Sequence, residues 1–216
     1  MEVFRLLEST DLEVVGVFPQ RGDSLSDLSV SSSEHVYNYK PFTRVPDNIF
    51  APDFRLRNGS KMTDVISLAI NSCFIVSGRV KRIVEENKVP DVQFVPINFN
   101  KQGTWYKYYL LFFLKSRYDL IDFSATDIYI MRSVWDVDQV VRARDVGEFY
   151  LLLKEVSYPR AVLMENPIMT TKTEVDLFSV DKTCNNGIGV FISEKLKSIF
   201  EREGISGWQY IPLGNG

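Results

Sequence analysis

Three aspartates, Asp119, Asp122 and Asp127, have the type and spacing that could best support chemistry in this sequence. Two carboxylates about 5 to 9 Å apart can act as general acid and base or hold a hard cation. The interpretation we favour is structural: the three residues cap and turn the chain between buried strands, because Asp and Ser side chains bond readily to nearby amides. The same two interpretations apply to Asp136 and Asp138, and a turn is again favoured.

No other group of residues is typical of an enzyme. The single histidine, His35, lies in a polar loop, where a solvated side chain is more common than a general base. The two cysteines, Cys73 and Cys184, fit no zinc or redox spacing, and we expect them to be small buried hydrophobes. Motifs for a nucleophilic serine, a phosphate loop or paired histidine ligands are missing. We therefore predict no catalytic residue, no cofactor and no metal.

The charge of the chain limits its partners. A net charge of -3 and a pI near 5.3 argue against nucleic acid, which needs a dense basic face. Residues 1–20 carry several charges, and no run of about 18 apolar residues occurs, so we expect neither a signal peptide nor a membrane span. The sequence predicts a cytoplasmic protein.

Two segments, residues 74–97 and 190–213, have related sequences. In both, apolar residues recur at i, i+4, i+7 and i+8, starting at Val76 and at Ile192, and a short alternating stretch follows. This pattern predicts a helix and then a strand, with Gly204 ending the second helix. The identical pairs are Ser77/Ser193, Lys81/Lys197, Ile83/Ile199, Glu85/Glu201, Gln93/Gln209 and Pro96/Pro212.

The remaining sequence predicts mainly strands. The predicted strands are residues 3–7, 105–114, 128–134, 148–156 and 160–164, and residues 14–18 form either a strand that pairs with the first or a turn after it. Residues 20–34 are rich in serine and predict a flexible loop. We expect residues 1–216 to form one α+β domain, in which helices pack on a mixed or largely antiparallel sheet.

Two stretches of the chain carry a resemblance to a known family. They are Phe-Ile-Val-Ser-x-Arg-Val-Lys-x-Ile-Val-Glu from Phe74, and Ile-Ser-Glu-Lys-Leu-Lys…Gly-Ile-Ser-Gly-Trp-Gln-Tyr-Ile-Pro-Leu from Ile192. They resemble the Val-Ser-Glu-x-x-Lys and Gly-Ile-Thr/Ser-Gly motifs of immunity proteins from bacterial polymorphic toxin systems. The resemblance spans roughly residues 60–214, and Gly78 departs from the usual Glu. It implies a small cytoplasmic protein that binds and neutralises a cognate protein toxin without catalysis.

Alternative functions stay open at this point. An enzyme or small-ligand binder could be built around Asp119 and Asp122, with Trp105 and Tyr106 nearby. A structural module could assemble through the C-terminal strand, and the oligomeric state is open. The candidate partner-binding residues are Asp119, Asp122, Asp127 and Trp208, although core packing is the favoured role of Trp208.

Overall fold

The structure is a computed structural model that describes residues 2–25, 41–47, 49, 51–67, 73–133, 135–170, 174–183 and 187–213. The predictions made for His35, for Cys184 and for residues 26–34 lie outside these ranges. Contacts divide the chain into two compact units. The first unit contains residues 1–5, 116–194 and 211–216, and the second contains residues 6–115 and 195–210. The single domain stays a prediction.

Strands dominate both units. In chain order the strands are β1 (Val3–Glu8), β2 (Arg21–Ser24), β3 (Phe54–Leu56), β4 (Val65–Ile66), β5 (Cys73–Ser77), β6 (Val92–Lys101), β7 (Thr104–Phe113), β8 (Ile128–Ser133), β9 (Asp136–Val141), β10 (Ala161–Leu163), β11 (Leu177–Asp181), β12 (Ile188–Ser193) and β13 (Trp208–Pro212). The α-helices are α1 (Leu12–Val15), α2 (Gly78–Glu86), α3 (Val146–Glu155) and α4 (Glu194–Arg202). None of these helices is both long and apolar enough to cross a membrane.

The described strands form three sheets. The second unit holds a six-stranded sheet of order β2-β3-β6-β7-β5-β4, in which β3 and β6 are parallel and the other pairs are antiparallel. The first unit holds a three-stranded sheet of order β10-β8-β9. A four-stranded sheet has the order β11-β12-β1-β13. Sheets together with helices confirm the predicted α+β class.

The two predicted amphipathic helices are confirmed as α2 and α4. The Ser77 hydroxyl accepts a hydrogen bond from the Val80 amide at 3.4 Å, as expected of a helix cap. Gly204, with φ +65°, follows α4 in the left-handed conformation that glycine tolerates. The buried side chains of the two helices are Val80, Ile83, Val84, Leu196 and Phe200.

The two related segments share a hydrogen bond as well as an element order. The Ser77 hydroxyl donates to Asp64, and the Ser193 hydroxyl donates to Asp176, each at 2.7 Å. In each segment the serine amide also donates to the carbonyl of the same aspartate. The internal repeat of residues 74–97 and 190–213 stays a prediction.

Each unit has its own buried core. In the second unit Phe54, Phe99 and Tyr108 are neighbours within a larger cluster, with ring centroids 5.5 and 5.6 Å apart. In the first unit Phe149 of α3 lies among Tyr118 and Phe123, with centroids 5.1 and 4.7 Å away.

Several strand and loop predictions are wrong. Of residues 148–156, predicted as a strand, 148–155 belong to helix α3, because Asp145 caps the helix by accepting from the Glu148 amide. In residues 14–18, helix α1 ends at Gly16, and the strand alternative is wrong. Arg21–Ser24, predicted as loop, is strand β2, because its backbone pairs with β3.

Strand β6 also continues beyond its predicted end at Pro96. It runs to Lys101, and Pro96 lies opposite Tyr109 of β7. Proline is tolerated here because β3 pairs with β6 only farther along, at Phe99 and Asn100.

Candidate partner-binding surface

Asp119 and Asp127 form ion pairs with arginines near the surface of the first unit. Arg117 donates through Nε and Nη2 to Asp119, at 2.9 and 2.7 Å. Arg142 Nε donates to Asp127 at 2.7 Å. The Arg142–Asp127 pair, whose side chains are 58% and 46% exposed, contributes little to stability.

Asp122 organises a turn. Its Oδ1 accepts from the Ser124 hydroxyl at 2.6 Å and from the amides of Ser124 and Ala125 at 3.1 and 3.2 Å. These bonds, led by that of the Ser124 hydroxyl, hold the pKa of Asp122 below its usual value. This geometry is the one that the turn interpretation requires.

We expect Asp122→Ala to lower the free energy of unfolding by about 1 kcal/mol at pH 7, because three donors lose their acceptor at a partly exposed site. A carboxyl with a lowered folded pKa stabilises the protein above its unfolded pKa of about 3.9, and that contribution disappears as the pH falls through the folded pKa. The difference from wild type should therefore shrink between pH 5 and pH 3, measured by urea unfolding. A difference that stays constant with pH would contradict this role.

The other residues of the enzyme alternative belong to a different unit. Trp105 and Tyr106 belong to the second unit, whereas Asp119 and Asp122 belong to the first. Within the described ranges, no three His, Cys, Asp or Glu side chains are grouped so that they could hold a metal ion. Each of the three aspartates has a local hydrogen-bond donor.

Trp208 is a packed side chain. It is 9% exposed, and its ring meets Phe74 edge-to-face with centroids 4.8 Å apart. Burial of this kind is what the core-packing interpretation expects.

The three-stranded sheet of the first unit leaves one face apolar and accessible. Residues directly opposite in an antiparallel pair share a face, and the register pairs Tyr129 with Val140 and Met131 with Val137. On β10, Leu163 and Ala161 lie opposite Tyr129 and Met131. We call this the outer face; it comprises Tyr129, Met131, Val137, Val140, Ala161 and Leu163.

The outer face is exposed, whereas the reverse face is in the core. Val137 and Val140 are 45% and 51% exposed. Ile128, Ile130 and Val162, on the reverse face, are buried. Strand β9 is the edge of this sheet, so its outer backbone groups are not used within it.

Two aromatic side chains stand at one end of this sheet. Trp135, between β8 and β9, is 87% exposed, and Tyr158, in the turn before β10, is 95% exposed. Arg160 reaches Asp138 at 3.7 Å, which places the Tyr158 turn at the same end as Trp135. Exposed aromatics beside an apolar face are typical of protein interfaces.

The charges at this end neutralise one another. Arg132 Nη2 donates to Asp138 at 2.6 Å and Arg132 Nη1 lies 3.4 Å from Asp136. The Arg132 hydrogen bond, assisted by Arg160, lowers the pKa of Asp138. Asp136 and Asp138 therefore belong to an ion-pair network rather than to a ligand set.

Comparison with known proteins assigns the chain to a family. The model of the Immunity protein family (Imm11) matches residues 16–215, which is nearly the whole sequence. The chain belongs to the Imm11 immunity protein family. No curated protein sequence matches it. The Imm11 match begins at residue 16 rather than near residue 60, so residues 16–59, including β2 and β3, also belong to the family pattern.

Sequence reasoning missed the exposed surface of this Imm11 protein. In Trp-Asp-Val-Asp it considered only Asp136 and Asp138, although Trp135 is the exposed residue. The available signal was a tryptophan at the start of an alternating, half-polar strand. Such a strand predicts an edge, but not which of its faces is covered.

Proposed function

We propose that this chain is a non-catalytic immunity protein that binds a cognate bacterial toxin in the cytoplasm and neutralises it. The observation that carries this proposal is the Imm11 family match over residues 16–215. The absence of a catalytic motif from the sequence is compatible with it. The net charge of -3 favours a protein partner over nucleic acid.

The proposed mechanism is occlusion, in which a surface of this chain covers the active or substrate-binding face of the toxin. The outer face and the adjacent Trp135 and Tyr158 support this mechanism, because exposed apolar surface gains most from being covered. Occlusion requires no reaction by the immunity protein. It requires only that the complex dissociates more slowly than the toxin is removed from the cell.

Little supports the enzyme alternative. Asp119 is paired with Arg117, and Asp122 is held by Ser124 and Ala125. A general acid or base usually has a pKa shifted toward neutrality, whereas the pKa of Asp122 is lowered. The carboxylates are thus better suited to holding the chain than to proton transfer.

The test of the proposed function is rescue. A candidate toxin encoded beside this gene is expressed in bacterial cells with and without the chain, and the two proteins are then mixed and separated by size-exclusion chromatography with light scattering. We expect growth to be restored and a stable complex to elute. Growth arrest despite soluble immunity protein, together with separate elution, would overturn the proposal.

We expect Trp135→Ala to weaken toxin binding at least about tenfold, because an exposed tryptophan that becomes covered is a typical source of binding energy. Its folding should be unchanged, since the side chain is 87% exposed. Leu12→Ala, at another exposed apolar residue, is the matched control and should bind as wild type does. Equal affinities of all three proteins, measured by calorimetry, would exclude Trp135 from the interface.

A further inference from the structure

A row of polar and aromatic side chains crosses one end of the six-stranded sheet in the second unit. The parallel pairing of β3 with β6 places Arg55 beside Asn100, and the antiparallel pairing of β6 with β7 places Asn100 opposite Trp105. In the next row Asn98 lies opposite Lys107. These side chains alternate with the buried Phe54 and Phe99, so they share the solvent side of the sheet.

The end of the β6–β7 hairpin is held by a tight turn. Lys101 pairs with Thr104, and the two residues between them, Gln102 and Gly103, have φ +52° and +88°. Two left-handed residues are the signature of the hairpin turn that matches strand twist, and glycine suits the second position. The Asn100 side chain accepts from the Gly103 amide at 3.1 Å, which fixes the turn further.

A depression lies between this turn and the end of β3. Its volume is about 350 Å³, which is within the range of ligand sites. We name its polar lining the basic depression; it consists of Arg55, Arg57, Asn58, Asn100, Lys101 and Gln102. Three cations and three amides can all donate hydrogen bonds, and arginine matches a carboxylate with two parallel bonds.

The cations of the basic depression are not neutralised within the described part of the chain. No carboxylate in those ranges lies within ion-pairing distance of Arg55, Arg57 or Lys101, whereas Arg79, Arg117 and other arginines have such partners. The acidic residues on neighbouring segments are Asp23 in β2 and Asp53 just before β3. The Asp53 carboxylate accepts a hydrogen bond from the Asn98 side chain at 2.9 Å. The depression therefore presents uncompensated positive charge on an otherwise acidic protein.

We propose that the basic depression binds the carboxylates of an acidic segment of the toxin, with Trp105 packing beside them. This inference rests on the proposed function and adds a second contact, chemically different from the outer face. Arg55 and Arg57 bind the carboxylates bidentately, and the neighbouring amides fix their orientation. Trp105, which is exposed, covers the apolar part of a Glu side chain. Nucleic acid is a poorer fit, because three cations in a chain of net charge -3 form no continuous track for phosphates.

The test compares two variants with the same change of charge. Arg55→Glu/Arg57→Glu reverses two cations of the basic depression, while Arg82→Glu/Lys88→Glu reverses two exposed cations, one within α2 and one just after it. Lys88 precedes β6 by four residues, and the start of β6 is about 30 Å along the strand from its end at the turn. The probe is the purified toxin domain encoded next to this gene, titrated by biolayer interferometry at low and at high salt.

We expect Arg55→Glu/Arg57→Glu to bind the toxin domain about 30- to 100-fold more weakly than wild type, and to lose most of the salt dependence of the association rate. The affinity of the control variant for the toxin domain should stay within about twofold of the wild-type affinity at each salt concentration. If the reversed variant does not fold by circular dichroism, Arg55→Gln/Arg57→Gln replaces it, with an expected loss of about tenfold.

The outcomes separate this inference from the proposed function. If wild type binds the toxin domain and Arg55→Glu/Arg57→Glu binds it equally well, only the inference about the basic depression is overturned. Absence of a wild-type complex would contradict the proposed function, and the inference with it. A fluorescein-labelled 20-nucleotide single-stranded DNA serves as the second probe, and saturable binding of it through Arg55 and Arg57 would overturn the choice of an acidic protein segment.

Discussion

Replacing Phe149 by alanine is expected to lower the free energy of unfolding by about 3–5 kcal/mol. Phe149 is fully buried in the first unit, where its ring stacks on Phe123 at 4.7 Å and meets Tyr118 edge-to-face at 5.1 Å. Alanine would remove both aromatic contacts and leave a cavity that rigid neighbouring rings cannot fill. Urea unfolding followed by circular dichroism measures the loss.

The control for Phe149→Ala lies on the same helix. Leu151→Ala removes an exposed side chain of α3, and we expect a change within about 0.5 kcal/mol. Phe149→Leu should lose an amount of unfolding free energy between those of Phe149→Ala and Leu151→Ala, because leucine keeps part of the buried volume. Losses of equal size for Phe149→Ala and Leu151→Ala would show that α3 does not pack through Phe149.

Helix α3 also shows where periodicity misleads. The run Phe-Tyr-Leu-Leu-Leu, residues 149–153, is apolar without a helical period, and it was therefore predicted to be a strand. The decisive signal was just upstream: Asp145 and Glu148 stand three residues apart, and both accept backbone amides at the start of the helix. This arrangement is related to a capping box, which marks a helix start even when the apolar pattern is ambiguous.

The helices α2 and α4 could be predicted because their apolar residues repeat on one face. Val80, Ile83 and Val84 are buried, as are Leu196 and Phe200. An apolar face of this kind can be recognised from a short stretch of sequence, because its residues repeat every three or four positions. The strands that follow are similarly local signals. Strand β6 continues past Pro96 because its residues there pair with the adjacent strand β7, up to Lys101 opposite Thr104.

The candidate sites could not be predicted in the same way, because sheet pairing assembles them. Arg55 meets Asn100 through the parallel pairing of β3 with β6, and no local pattern announces this contact. The outer face of the first unit likewise depends on the register of Met131 with Val137. The aspartates at 119, 122 and 127, in contrast, attracted attention because they are close in sequence, and each is bound by its own nearby donors.

Replacing Asp64 by alanine is expected to lower the free energy of unfolding by about 2–3 kcal/mol. The buried Asp64 carboxylate accepts from the Ser77 hydroxyl at 2.7 Å, from the Ser206 amide at 3.2 Å and from Arg79 Nη1 at 3.3 Å. Alanine would leave Ser77 and Ser206 without this acceptor in a site with little water. Arg79 is half exposed, so its guanidinium regains solvent and contributes less to the loss.

Asp127→Ala is the matched control, since it removes a half-exposed carboxylate that is paired with the exposed Arg142. We expect a change within about 0.5 kcal/mol, measured by urea unfolding beside Asp64→Ala. Asp64→Asn should be intermediate, because its amide oxygen can still accept from Ser77 while its amino group opposes the Ser206 donor. Equal losses in the two alanine variants would mean that Asp64 is solvated. The expected difference arises because Asp64 joins the start of α2 to the turn after α4, and water cannot replace a carboxylate that binds both.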